Sequence, residues 1–311
     1  RLCRDWSSDV CSSDLNGTVQ SAVAFTGSIG SISSNGRGAF SFVLPSGTVT
    51  GTFYVVSAGQ WFVIVVSNTD PVVVSGQVLQ QTGGPFSASS LSGAAIFANQ
   101  SEDGVPAPNA LLGSLTFGSG GAVSFLVDQN DNGTLTLSQT GTGTYSVTSA
   151  ANGRFTLTPQ GAHTLVGYLV APNEAFTTES DAVTPDFGTL VPQAAGPFNN
   201  ASLQGTYYVG TIPNLSKGAP GNPPPALNVY SGFETFDGTG GLSAILDVNS
   251  SGVPASGVTG TDTYSVASNG RVTTTSGSYV LYFASPTLVY ALQTSQGQPA
   301  SPNPGILIIQ K

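Results

Sequence analysis

Apolar and polar residues alternate along most of this chain with the two-residue period of a pleated strand. Residues 196–311 read almost strand by strand, at 203–210, 227–236, 240–248, 258–267, 271–275, 278–284, 286–293 and 305–310. Most connections are short, at Gly238 to Gly240, Asn269-Gly270 and Ser285-Pro286, and the one long loop runs from Asn214 to Pro225. No helical period or capping box falls between them. Eight short strands joined by tight turns predict an all-β antiparallel meander, which can close into a small up-and-down barrel and so remove its exposed edges. An immunoglobulin-like sandwich is the alternative, but its Greek-key crossovers call for more long loops.

The pattern repeats. Asn35-Gly36-Arg37, Asn152-Gly153-Arg154 and Asn269-Gly270-Arg271 recur 117 residues apart, each between two β-prone segments. Asn-Gly is the preferred pair for a two-residue type I′ hairpin, so these turns predict three equivalent hairpins. Gly84-Pro85-Phe86 with Ser90-Leu91-Ser92-Gly93 returns as Gly196-Pro197-Phe198 with Ser202-Leu203-Gln204-Gly205. Each unit closes on a strand ending in Gln: "GQVLQQ" from Gly76, "GTLVPQ" from Gly188 and "GILIIQ" from Gly305. A fixed period of this size means a tandem array of one β unit. The expected divisions are an N-terminally truncated unit over 16–82 and complete units over 83–195 and 196–311. The most apolar strand pair of each unit follows its Asn-Gly-Arg turn. In the first and third units both faces of that pair are apolar, so one face should fill the core and the other pack against a neighbouring unit, a partner or a missing terminus.

Residues 1–15 resemble nothing downstream. The run Asp5 to Leu15, "DWSSDVCSSDL", resembles the translation of a common sequencing adapter, and the chain has no Met. The expectation is adapter read-through on a gene fragment, with any export signal lost beyond it. Both cysteines, Cys3 and Cys11, lie in that segment, which leaves the rest cysteine-free and takes away any disulfide framework.

Composition narrows the functional classes. Charged residues are 7% of the chain and the net charge is −9, so there is no basic patch to neutralise phosphates and nucleic acid is not an expected partner. An apolar fraction of 39%, in alternating or continuous runs such as "TFYVVSAGQWFVIVV", argues against disorder. No run approaches the roughly 20 apolar residues of a membrane-spanning helix. In overall pattern the chain resembles uncharacterised secreted tandem β-repeat proteins of environmental bacteria. The "GTYSV…NGR" hairpin and the "G.L..Q" closing strand carry that resemblance over nearly all of Asn16 to Lys311. It implies an extracellular or cell-surface location and brings no activity with it.

Candidate chemistry is sparse. Asp128, Asn130 and Asn132, followed by Gly133, match the first half of a calcium loop, in which alternate oxygen side chains converge on a hard cation. The place of the bidentate Glu holds Gln139, and no other cofactor is expected. The counterpart in the third unit, Asp247-Val-Asn249-Ser-Ser251-Gly252, is weaker. Arg37, Arg154 and Arg271 share one repeat position. Their planar donors suit carboxylates or anionic glycans, but the simpler expectation is that each ties a strand end to an acid or carbonyl of its own unit. His163 has no counterpart in the other units, so a repeated catalytic or metal centre cannot use it. Glu234, Asp237 and Asp247 lie on adjacent predicted strands, where a carboxylate pair would serve glycoside chemistry. Trp61, Tyr207, Tyr208, Tyr230, Phe233, Phe236, Tyr282 and Tyr290 are aromatic handles, most of them expected in the core.

These observations lead to a non-enzymatic, exported surface, adhesion or spacer protein built from repeated β modules. Polysaccharide or another surface protein would be its partner. Small-ligand-binding barrels are the alternative, and a carboxylate-based glycan hydrolase a more distant one.

Overall fold

The computed structural model describes residues 11–15, 18–23, 25–44, 47–66, 74–102, 108–131, 133–180, 186–212, 228–250, 253–294 and 305–311. Two compact units divide the chain, 1–85 and 86–311. In the first, β1 (Cys11–Leu15) and β2 (Thr18–Val23) pair as an antiparallel hairpin. Strands β3 (Thr26–Ile29), β4 (Arg37–Leu44), β5 (Gly47–Ser57), β6 (Gln60–Val65) and β7 (Val74–Leu79) form a five-stranded antiparallel meander. Its inner face is closed by the buried rings of Phe40 and Phe53, the latter stacked on Trp61.

The second unit holds two closed barrels. One runs through β8 (Gly93–Glu102), β9 (Pro108–Phe117), β10 (Ala122–Asp131), β11 (Thr134–Val147), β12 (Arg154–Pro159), β13 (Leu165–Ala171), β14 (Glu174–Glu179) and β15 (Asp186–Pro192), and β15 closes onto β8. The other runs through β16 (Gln204–Ile212), β17 (Asn228–Asp237), β18 (Gly241–Ser250), β19 (Val253–Val266), β20 (Arg271–Thr274), β21 (Tyr279–Ser285), β22 (Leu288–Gln293) and β23 (Ile306–Gln310), and β23 closes onto β16. These are the expected eight-stranded up-and-down barrels, not immunoglobulin-like sandwiches. Alternation along each strand sends one set of side chains into the lumen. Phe97, Leu115, Phe117, Phe155, Leu169 and Leu190 are among those that fill the first barrel, and Tyr207, Phe236, Val272, Phe283, Val289 and Ile309 among those that fill the second.

The repeated tyrosine of the "GTYSV" motif seals each barrel at one end. The Tyr145 hydroxyl lies 3.0 Å from both Leu91 O and Gly118 O. The Tyr264 hydroxyl donates to Leu203 O at 2.7 Å and accepts the Gly238 N–H at 3.0 Å. The "GPF…SL.G" segment is thereby held across the mouth as a 3₁₀ turn, Ala88–Ser90 or Asn200–Ser202, with Leu91 and Leu203 buried beneath it.

Two local expectations are corrected. The Asn-Gly-Arg turns are not two-residue type I′ hairpins, because only their glycines have positive φ (79°, 70° and 86°). Each Asn instead turns its side chain back, its Oδ1 accepting the Arg N–H two residues on at 3.1–3.2 Å, as in an Asx turn. In the third unit the Gly270 N–H closes on Ala267 O, so the loop is three residues ending in a left-handed glycine. The strand expected at 258–267 begins earlier, and β19 is 14 residues long, as is β11. A bulge opposite Asp247 interrupts the alternation, with Gly257 at φ 64°, and hides the continuity of the strand.

Candidate functional site at the joint between barrels

The most constrained polar constellation among the described residues lies where the two barrels meet. An apolar contact joins them. Ile96, Ala98, Ala110 and Leu112 on the outside of β8 and β9 pack with Val280, Tyr282, Ala284, Tyr290, Leu292 and Ile306 on the outside of β21, β22 and β23. The second apolar face of the "SYVLYFASPTLVYALQ" pair thus meets a neighbouring unit.

Within that contact Asp128 is fully buried. Arg271 donates to it twice, Nε to Oδ2 at 2.8 Å and Nη2 to Oδ1 at 2.9 Å. The Tyr282 hydroxyl donates to Oδ2 at 2.6 Å and the Ser138 N–H to Oδ1 at 2.7 Å. Four donors converge on one carboxylate, the satisfaction a buried charge needs. The bidentate partner also holds the Arg271 guanidinium above its ordinary pKa, against the opposing effect of burial. Burial pushes the Tyr282 hydroxyl well up, reinforced by the Asp128 charge, so it remains a donor throughout the physiological range.

Strand register explains the grip. Arg271 stands directly opposite Tyr282 on β20 and β21, so both project from the same outer face. On β10, Asp128 stands opposite a bulge in β11, where the register shifts between Val127 and Gln129 and Ser138 (φ 55°) turns its N–H to the carboxylate. Around this core the segment between barrels is pinned. The Gln193 amide donates to Asn269 O at 3.0 Å and Phe283 O at 2.9 Å, Ala194 N donates to Ala284 O, and Asn130 Nδ2 donates to Gln293 O. Gly270 also faces this staple: at φ 86° it holds a left-handed conformation, and a Cβ there would stand 2.5 Å from Gln193 Nε2, so the amide would have to shift.

Of the repeated arginines two keep the expected ties within their own units, though to hydroxyls in place of an acid or carbonyl, and only Arg271 departs from that expectation. Arg37 and Arg154 bond threonine hydroxyls of their own units, Thr52 at 3.3 Å and Thr148 at 3.2 Å. Arg271 reaches a carboxylate in the preceding barrel. Two calcium candidates have structural duties: Asp128 has both oxygens bonded, so a cation would have to displace Arg271, and Asn130 Oδ1 accepts the Gly133 N–H. Asn132 lies outside the described residues. No group of three or more His, Cys, Asp or Glu side chains comes together among the described residues.

The three acids considered for glycoside chemistry are dispersed. Glu234 is buried in the lumen, where desolvation raises its carboxyl to about 7. Asp247 lies on the outer face of the adjacent strand, three residues beyond Ala244, the cross-strand partner of Glu234. Asp237 caps the turn into β18, and the N–H of Thr239 above all, with those of Gly241 and Gly240, holds its carboxyl at about 2. The lumen around Glu234 leaves a cavity of about 10 Å³, bordered by Leu242, Thr274, Tyr279 and Leu281, at the threshold for one water.

His163 is largely exposed, with Nδ1 3.6 Å from Glu179 Oε1. Nearby, Asp186 accepts from Asn99 Nδ2 at 2.6 Å and from the Glu179 N–H, while burial raises its carboxyl to about 6. The sequence reading missed Asp186 and Gln193. Of the aromatic handles, Tyr207, Phe236, Tyr282 and Tyr290 are buried, Trp61 and Tyr230 half-buried, and Tyr208 and Phe233 exposed. No helix among the described residues is long and apolar enough to cross a membrane. No family model matches the chain, and neither a curated protein nor a solved structure matches it.

Proposed function

We propose that the chain is a non-catalytic, exported array of β modules that acts as a spacer or adhesive scaffold at a cell surface, with polysaccharide or another surface protein as its partner. The joint carries this reading. A buried Asp128–Arg271–Tyr282 clasp inside an apolar contact holds successive barrels in one orientation. Fixed orientation is what a spacer needs to set reach and what an adhesive array needs to multiply weak contacts. The cavity of about 10 Å³ favours it over a ligand-carrying calyx, which needs roughly 300 Å³ or more. Export rests on the composition alone, with its charge-poor surface solvated by hydroxyls and amides.

The test is rigidity. Residual dipolar couplings from the described residues of 86–311 should fit one alignment tensor, and separate tensors for the two barrels would remove the ground for a spacer. Turnover of a glycan or ester panel that is lost in Glu234→Gln or Asp247→Asn would replace the reading with an enzyme.

A further inference from the structure

The clasp that joins the barrels is built from two half-sites, and the chain carries an open copy of each. The acceptor half in the first barrel is Asp128 with the outer faces of β8–β10. In the second barrel the same register positions fall on β16–β18. Asp128 pairs with Leu112 on β9, and Asp247 pairs with Ser231 on β17. The local backbone repeats too, because Gly257 (φ 64°) donates its N–H to Asp247 Oδ1 at 2.8 Å where Ser138 (φ 55°) donates to Asp128 at 2.7 Å. Here, however, the face is uncovered. Tyr208, Phe233 and Ile245 form a cross-strand stripe that is 70%, 39% and 44% exposed, with Asp247 exposed beside it.

The donor half is Arg271–Tyr282–Tyr290, a stripe of directly paired residues across β20, β21 and β22. In the first unit Arg37 pairs with Tyr54 and Tyr54 with Phe62, the same stripe across β4, β5 and β6. That face is also bare: Tyr54, Val56, Phe62 and Ile64 are all exposed. Ser75 and Gln77 on β7 stand opposite Ile64 and Phe62 where Ile306 and Ile308 stand opposite Leu292 and Tyr290. Ser75, smaller than Ile306, leaves room on this face for the larger side chains of the open acceptor.

We infer that the Asp247 face of the second barrel is a docking site for a second copy of this chain, which inserts the Arg37–Tyr54 face of its five-stranded sheet. Continuity with the existing joint, apolar complementarity and the Arg–Asp charge match all select that occupant. Two different surfaces meet, so the contact is heterologous and propagates as an open head-to-tail chain unless it closes into a ring. The inference is independent of the spacer reading, since it concerns surfaces, whatever the array is for.

The test uses the full chain with reductant present, so that Cys3 and Cys11 cannot cross-link copies. Sedimentation velocity from micromolar to submillimolar protein should show a weight-average mass rising above the 31.4 kDa monomer. Asp247→Arg and Arg37→Glu should each weaken association by at least about tenfold, the scale of a lost close charge pair. Each variant keeps one intact half-site, and the two reversed charges have complementary signs, so an equimolar mixture of the two should recover association that neither variant shows alone. That complementation also shows that both variants are folded. Arg154→Glu should leave the association unchanged. A monomer at every concentration, association indifferent to both charge reversals, or no recovery on mixing would overturn the inference. Loss of association in Arg154→Glu instead would overturn the assignment of the donor face to the first sheet.

Discussion

Glu234 occupies the lumen position that Leu115 fills in the first barrel, as the strand pairings show: Leu115 faces Ala95, and Glu234 faces Tyr207 at the matching step. Its carboxyl rises from 4.5 to about 7 because burial removes water from the charged form. The folded protein thus holds the proton more tightly than the unfolded chain. The stabilisation is fully present below about 4.5 and is lost as the pH rises through about 7, a swing on the order of 3 kcal/mol. Glu234→Leu should therefore raise the urea midpoint at pH 8 and flatten the fall in stability between pH 5 and 8. An unchanged pH profile in that variant would mean the group is not the one titrating.

At the level of elements, β10 and the β20–β21 pair depend on each other through one carboxylate. Removing one member of a buried ion pair leaves the other charge uncompensated, which typically costs about 3–5 kcal/mol. Asp128→Ala should lower the stability of the 86–311 unit by that order in urea titration. Asp128→Leu combined with Arg271→Met should cost far less than Asp128→Ala, since no buried charge remains. Equal losses in the two variants would point to a defect in barrel folding in place of the clasp. This pairing was hidden from the sequence. The two residues are 143 positions apart, and Tyr54, Tyr168 and Tyr282 follow their arginines at unequal intervals because the hairpins between them differ in length. Only strand register, which turns fix and composition does not, sets them face to face. The strands themselves were legible from two-residue alternation, down to seven of the eight starts in the last barrel within two positions. The bulge at Asp247 spoiled the eighth. The turn chemistry was misread for a related reason, since Asn-Gly signals a hairpin whether the Asn takes positive φ or folds its side chain back. The calcium pattern at Asp128 is unspecific in sequence, because alternate carboxylate and amide side chains also line one face of a strand, where they can meet a neighbouring module.

For the molecule as a whole, the clasp decides whether the two barrels behave as separate bodies or as one. In a repeat array, stability is approximately the sum of the intrinsic stability of each module and the terms between neighbours, and cooperativity extends as far as those neighbour terms are strong. Here the neighbour term is an apolar contact contributed by five strands together with a buried ion pair, a tyrosine hydroxyl and the Gln193 staple. If one barrel unfolded alone, its partner would expose either Ile96 and Leu112 or Tyr282 and Leu292, and either Asp128 or Arg271 would lose its counter-charge. Partial unfolding is therefore penalised beyond the loss of the barrel itself. Calorimetry of the full chain should show the two barrels melting in a single endotherm. Asp128→Ala should split that endotherm, because it weakens the coupling while both lumens stay packed. Two resolved endotherms in the unmodified chain would show that the barrels are joined without being coupled. The head-to-tail contact at Asp247 would then lose its precedent as a rigid joint, since it repeats the same half-sites.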